Sequence, residues 1–401
     1  MKDPQRITRI EVSEGNRKLR IVLIVVFLAI GIAALTAGFM GLLRQETGWQ
    51  RVQVNPKERN CSSQFILEYN FSGSGAQATA VNSKLQAAYG EACIKAYRLF
   101  TPDEEIDGER NIWYINRHPN EEITVDPVLY DAFSKLRDTR YLYLGPIYAH
   151  YSQIIYSAEE SQLPQLDPKQ DADSAALVSA LAAFAADETA VNLELLGENK
   201  VKLHVSSDYL SFLQQEELEP NLIDFAYMTN AFVIDYLADT LKALELTDGY
   251  LVSADGFTRN LTADTQFRFN IFDRVDKDVY PAAVMEYTGP ISIVFLKDYP
   301  TAESDRNYRA VEDRYVHLFT DSADGFYRTA AHNLVSYSYE LGCADVLLRM
   351  LPGFVGGEFA LPQGVYSVWC DGQTVCYNDE GIAFTDLWQK DGRSYTTRLE
   401  K

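Results

Sequence analysis

Few side chains in this sequence have the type and spacing that chemistry asks for. Asp224 and Asp235 flank the start of an apolar-periodic stretch, Asp255-Gly256 follows the next apolar run, and His317 stands alone in Tyr315-Val316-His317-Leu318-Phe319. Asp345 precedes Arg349 by one helical turn. Carboxylates can hold a hard cation, and an imidazole changes charge near neutral pH and can move a proton. A single histidine in a strand is more often packed than catalytic. Asp345 and Arg349 fall at i and i+4, so the guanidinium can reach the carboxylate and form an ion pair. The five cysteines, Cys61, Cys93, Cys343, Cys370 and Cys376, include no pair with metal-ligand spacing. Cys93 reads as a buried thiol on an apolar helix face. Cys370 and Cys376 could bridge a hairpin end, but a two-residue Asp371-Gly372 turn would set Cys370 opposite Gln373, so bridge and tight turn exclude one another.

The elements that must position these groups follow from periodicity. From Ile223 to Leu244, large apolar residues recur at Ile234, Leu237, Leu241 and Leu244, with Asp235, Asp239 and Lys242 on another face, which predicts a helix. Thr229 or Asn230 can cap it, and Thr247-Asp248-Gly249 stops it before the strand Tyr250-Leu251-Val252. Upstream, Gln64 to Phe71 alternates as a strand, and a helix carries Val81, Leu85, Ala88, Ala92, Ala96 and Leu99. Ile112 to Asn116 and Ile123 to Asp126 flank a turn, and Asp126-Pro127 opens a helix. The tyrosines at 141, 143, 148, 151 and 156 could stack on a flat ring, but their alternation reads better as the two faces of a strand. Asp173-Ser174 caps a further helix; Val191 to Val205 forms a hairpin, and a short helix covers Asp208 to Leu213. Downstream, Phe267 to Asp273, Ala283 to Tyr287 and Ile291 to Leu296 read as antiparallel strands, and Val365 to Leu399 as a β-meander.

In register, Ile223 to Asp235 resembles the signature of the ApbE family, the FAD:protein FMN transferases, usually Leu-Asp-Leu-Gly-Gly-Ile-Ala-Lys-Gly-Tyr-Ala-Val-Asp. Asp224, Asp235 and the apolar skeleton match, while the glycines become Ala226, Tyr227 and Ala231 and the lysine becomes Asn230. Gly145-Pro146-Ile147 resembles the end of the family's flavin-lining Gly-Pro-Leu segment. Ala254-Asp255-Gly256 falls on its nucleotide-contacting Asn-x-Gly-Gly-Asp, and keeps one glycine. Tyr315 to Asp321 resembles His-Ile-Ile-Asp-Pro, with His317 on the histidine associated with catalysis. Ala344 to Leu351 resembles Ala-Asp-Ala-Leu-Ala-Thr-Ala-Leu, where Asp345 keeps the aspartate of the magnesium site and Arg349 takes the threonine position.

The resemblance spans roughly residues 62 to 380. It implies an α+β fold with antiparallel sheets flanked by helices. In the intact family, magnesium on the FAD diphosphate helps transfer FMN to a threonine of an extracytoplasmic redox protein. Here it implies cofactor contacts at Asp224, Asn230, Asp255, Gly256 and Gly145, a metal ligand at Asp345 and catalysis by His317, if the activity is kept. Two readings follow. The preferred one is a catalytically degenerate domain serving as a binding or partner module beside flavoproteins or surface redox systems. The alternative is an active Mg-dependent transferase with a rearranged site of Asp224, His317 and Asp345. Loss of the lysine, both glycine patterns and the metal threonine favours the first, because a Gly-rich loop and a cation are what bring a phosphate to backbone amides.

Length and composition suit a large core, with 401 residues that are 47% hydrophobic. Ile21 to Leu43 is a run of 23 uncharged residues, long enough at ~1.5 Å per residue to cross a ~30 Å hydrocarbon layer. Basic residues before it favour the N-terminus inside and the bulk outside. The expected organisation is a cytoplasmic tail over 1–20, a transmembrane signal anchor over 21–43, a linker over 44–61, the ApbE-like extracytoplasmic domain over 62–380 and a C-terminal β extension over 381–401. The formal charge of −21 disfavours nucleic acid and anionic lipid surfaces as partners.

Overall fold

The computed structural model describes residues 46–302, 305–357, 362–390 and 392–400. The expected tail and anchor over 1–43 lie outside them. Among the described residues no helix is long and apolar enough to cross a membrane.

Nine strands form the central sheet and lie side by side in chain order: β1 (Gly48–Val52), β2 (Phe65–Phe71), β3 (Gly249–Ser253), β4 (Phe257–Asn260), β5 (Ile291–Lys297), β6 (Asn333–Ser338), β7 (Tyr366–Asp371), β8 (Thr374–Tyr377) and β9 (Thr396–Leu399). All neighbours are antiparallel except β8 and β9, which run parallel. Three helices cover one face: α1 (Gly75–Phe100), α2 (Thr229–Ala243) and α3 (Cys343–Gly356). A three-stranded sheet of Gln266–Val275, Asp278–Thr288 and Ala383–Thr385 covers the other. Buried on both faces, β5 is apolar almost throughout. Val294 and Leu296 point to the helical core and Ile293 and Phe295 to the sheet-on-sheet core, as the two-residue period of a strand requires. Residues between α1 and α2 form a separate helical layer with a small three-stranded sheet.

Local chemistry explains the helix boundaries. Ser74 and Gln77 form a reciprocal capping box at the start of α1. The first amides of α3 are served from elsewhere: its N-cap is Gly342, and Asp235 of α2 accepts Cys343 N at 2.8 Å and Ala344 N at 2.9 Å. Arg259 of β4 lies 3.3 Å from the same carboxylate, and a Cβ on Gly342 would overlap it. Asp235 is thus a buried cap of a neighbouring helix. Asp239, one turn on, is solvated.

Several sequence expectations are corrected. Ile112–Arg117 is a helix, because Asn111 caps it through Tyr114 N. Tyr141–Tyr143 is a 3-10 turn leading into the helix Gly145–Ser152, whose first turn holds Pro146. Neither Thr229 nor Asn230 caps α2; a 3-10 turn over Ala226–Met228 leads into it. The stretch read as a linker contains β1, which pairs with β2. The tail is no meander: Ala383–Thr385 joins the covering sheet and β9 returns parallel to β8. The β7–β8 turn is Gly372-Gln373, so Cys370 faces Val375 and Cys376 faces Trp369, and both thiols are free.

Replacing Asp235 with alanine strands two helix-end amides and leaves the buried Arg259 with only the exposed Asp239, 3.9 Å away, as counter-ion. Urea unfolding of Asp235→Ala is expected to lose about 3–5 kcal/mol, whereas Asp239→Ala changes stability by less than about 0.5 kcal/mol.

Candidate functional site

Where the turn between β3 and β4 meets the start of α2, a cavity of about 840 Å³ opens. Four sequence-predicted residues, Asp224, Asn230, Asp255 and His317, line it together with Tyr227, Lys297, Asp305, Asn307 and Tyr308. Among the described residues, Gly145, Gly256, Asp345 and Arg349 do not belong to its wall.

Asp224 closes a turn on itself, its Oδ1 accepting Ala226 N at 2.7 Å and its Oδ2 accepting the Asn221 amide at 3.1 Å. Ala226 consequently adopts a positive φ of 45°. The segment is held from below by Asn116, whose side chain makes three bonds of 2.9 Å, one to Asn221 Oδ1 and two to the backbone of Ile223. Gly145 packs beneath it, so that a Cβ there would overlap the Asn221 carbonyl. Burial pushes the Asp224 carboxyl up to about 6, against the pull of Ala226 N and Asn221.

Asp255 sits on the β3–β4 turn, which Gly256 completes at φ 94° and where a Cβ would lie 2.6 Å from the Phe295 carbonyl. Two side-chain amides clamp it: Asn230 donates to Oδ2 and Asn307 to Oδ1, each at 2.5 Å. Asn307 in turn accepts the Tyr156 hydroxyl at 3.0 Å. Burial raises the Asp255 pKa, and the two amides oppose it. Beside it, Lys297 pairs with Asp305, donates to Tyr299 O at 3.3 Å and lies 4.7 Å from the centre of the Tyr308 ring. Burial lowers the Lys297 pKa against Asp305.

His317 is only 4% exposed, with its ring 5.5 Å from Phe319 and 5.4 Å from Tyr327. Its Nδ1 has no hydrogen-bond partner, and neither has Oδ1 of Asn230. Burial depresses His317 to about 4, so the imidazole is neutral at pH 7.

The predicted Asp345–Arg349 ion pair does not form. Lys135, on the helix Pro127–Leu136, reaches across and binds Asp345 at 2.5 Å, and Arg349 turns away to donate to the Gln363 carbonyl at 2.9 Å. Asp345 lies in the first turn of α3, where the Lys135 ammonium arrives from a separate layer. Among the described residues no group of three or more His, Cys, Asp or Glu side chains is arranged to hold a metal.

Sequence reasoning missed Asn116, Asn221 and Asn307. Asn116 alone carried a signal, a polar residue closing the apolar run Ile112-Trp113-Tyr114-Ile115. The other two lie in irregular segments that no period marks.

The fold has solved counterparts. The ApbE protein of Thermotoga maritima superimposes with a TM-score of 0.54 at 12% identity, over 84% of this chain and 96% of that one. The flavin transferase ApbE of Vibrio cholerae gives 0.52 at 12% identity, over 85% and 97%. The resemblance to ApbE thus holds across the fold. No protein-family model and no curated protein matches the chain.

The buried His317 makes stability pH-dependent. Between its ordinary value near 6.5 and its folded value of about 4, the unfolded chain takes up a proton that the folded chain refuses. Stability from this residue is complete above pH 6.5 and falls by up to about 3 kcal/mol towards pH 4. Asp224 acts with the opposite sign up to its value of about 6. Because both proteins keep Asp224, subtracting urea-unfolding curves of wild type and His317→Gln cancels its part. The difference is expected to vary with pH in this window and to be flat above it.

Proposed function

We propose that this protein is a membrane-anchored, extracytoplasmic domain of ApbE fold that no longer transfers flavin and serves as a binding module beside flavoproteins or surface redox proteins. The observation that carries the reading is the Lys135 ammonium bound to Asp345, the aspartate that the ApbE resemblance assigns to magnesium. An ammonium held ~4 Å from Mg²⁺ would repel it by about 8 kcal/mol at an effective dielectric of ~20. A hydrated ion held by one or two carboxylates does not easily outweigh that.

The nucleotide half of the site speaks the same way. The resemblance assigns the β3–β4 turn to close backbone approach by a nucleotide, yet Asp255 occupies it with a carboxylate clamped by Asn230 and Asn307. At the entry to α2, the Ala226 amide is already bonded to Asp224, and the Tyr227 ring fills space that the motif leaves to glycine. These residues do not fit magnesium and FAD. The uncharged run over 21–43 and the basic residues before it support the anchor and its orientation.

The test is titration calorimetry of the full chain in detergent with FAD, with and without Mg²⁺, beside a Lys135→Ala, Arg349→Thr double variant. We expect no magnesium-dependent heat from the wild type, and no phosphoester-linked flavin on threonine when a flavoprotein acceptor is added. Magnesium-dependent FAD binding by the unmodified chain overturns the reading in favour of an active transferase using Asp224, His317 and Asp345. FAD binding confined to the double variant supports it.

A further inference from the structure

We infer that the cavity beside α2 binds an organic cation, a protonated amine or guanidinium carried on a flat apolar body. The inference rests on the reading above, that a flavin nucleotide does not occupy this cavity.

Charge is the first ground. Asp224 and Asp255 face the cavity, and both are satisfied by amides: Ala226 N and Asn221 for one, Asn230 and Asn307 for the other. Amides fill lone pairs but bring no positive charge. Lys297, the buried cation in the wall, is committed to Asp305. Arg306 is exposed at the rim. The wall therefore holds negative charge in a partly desolvated site where a ligand cation would gain most.

Unmet hydrogen bonding is the second ground and is independent of the first. Asn230 is 5% exposed and spends its amide nitrogen on Asp255, while its Oδ1 accepts from nothing. His317, equally buried, keeps an unpartnered Nδ1. A buried polar atom left unpaired costs about 1–3 kcal/mol, and a bound N–H donor relieves it only where the Asn230 side chain turns its Oδ1 toward the cavity. Tyr227, Phe257, Tyr308 and Phe319 also line the wall and bring aromatic surface for a flat apolar body. A phosphate ester would bring negative charge to two carboxylates; an aromatic amine brings the missing sign.

The experiment is equilibrium dialysis of the full chain in detergent against tryptamine, and against indole-3-propionate as a near-isosteric acid. Tryptamine is expected to bind at least tenfold more tightly than the acid. Asp255→Asn should weaken tryptamine at least tenfold and tighten, not weaken, binding of the acid. Asp224→Asn, which keeps an oxygen for the Ala226 amide, supplies the same readout if Asp255→Asn fails to fold. Equal affinity for amine and acid, no amine binding, or amine binding unmoved in both variants overturns the inference. FAD with Mg²⁺ is dialysed in parallel. If amine and FAD both fail, only the cation assignment falls; if FAD binds in a magnesium-dependent way, the reading of lost flavin transfer falls with it.

Discussion

The arrangement depends on one buried carboxylate. Asp235 belongs to α2, yet its two oxygens serve the first two amides of α3, and Arg259 approaches it from β4. Arg259 also bonds Ser292 of β5 and the Leu341 carbonyl just before α3. Two helices and two strands therefore meet at a single charge. Burial raises the cost of ionising Asp235, and Arg259 with the two amides offsets it. Gly342 is required where it stands because any side chain would enter the carboxylate's space. Once α2 is fixed this way, its first turn can only point at the β3–β4 turn, and Asn230 meets Asp255.

The same fold element can serve opposite chemistries. The start of a helix offers free amides and suits an anion. In this chain the anions at that place are its own side chains: Asp224 takes the Ala226 amide, and Asp255 takes Asn230 in the first turn of α2. An internal carboxylate is covalently tethered, so it competes with any free phosphate at a large entropic advantage. Side chains stand in this chain where the resembled motif has glycines, and Asp224, Tyr227 and Asp255 line the cavity there.

How far the sequence revealed this depended on whether a feature was local. The period of Ile234, Leu237 and Leu241 disclosed α2, and the alternation along Ile291 to Leu296 disclosed β5, because burial on one or two faces writes itself into neighbouring residues. Asp224, Asn230, Asp255 and His317 were legible as candidates through motif order, and all four line one cavity. The Asp345–Arg349 pair was read from helical spacing alone, which carries no knowledge of Lys135 arriving from another layer. Asn307 and the Lys297–Asp305 pair were invisible for the same reason. Ile112 to Asn116 looks like a strand by residue type, but a single cap at Asn111 decides for helix. The strand β1 hides within a polar stretch because only Val52 of its five residues is buried.

The sheet's two outermost strands, β1 and β9, come from the first and last described segments of the chain. Each shields the backbone of a longer or more buried neighbour, β2 on one side and β8 on the other. Shortening the chain at either end would therefore do more than remove a peripheral ribbon. It would bare a row of unpaired amides and carbonyls beside apolar side chains, a template on which a second molecule could add its own strand and begin a fibre. The polar, seemingly dispensable flanks cover the edges of more apolar strands, which sets the limits within which this domain can be trimmed.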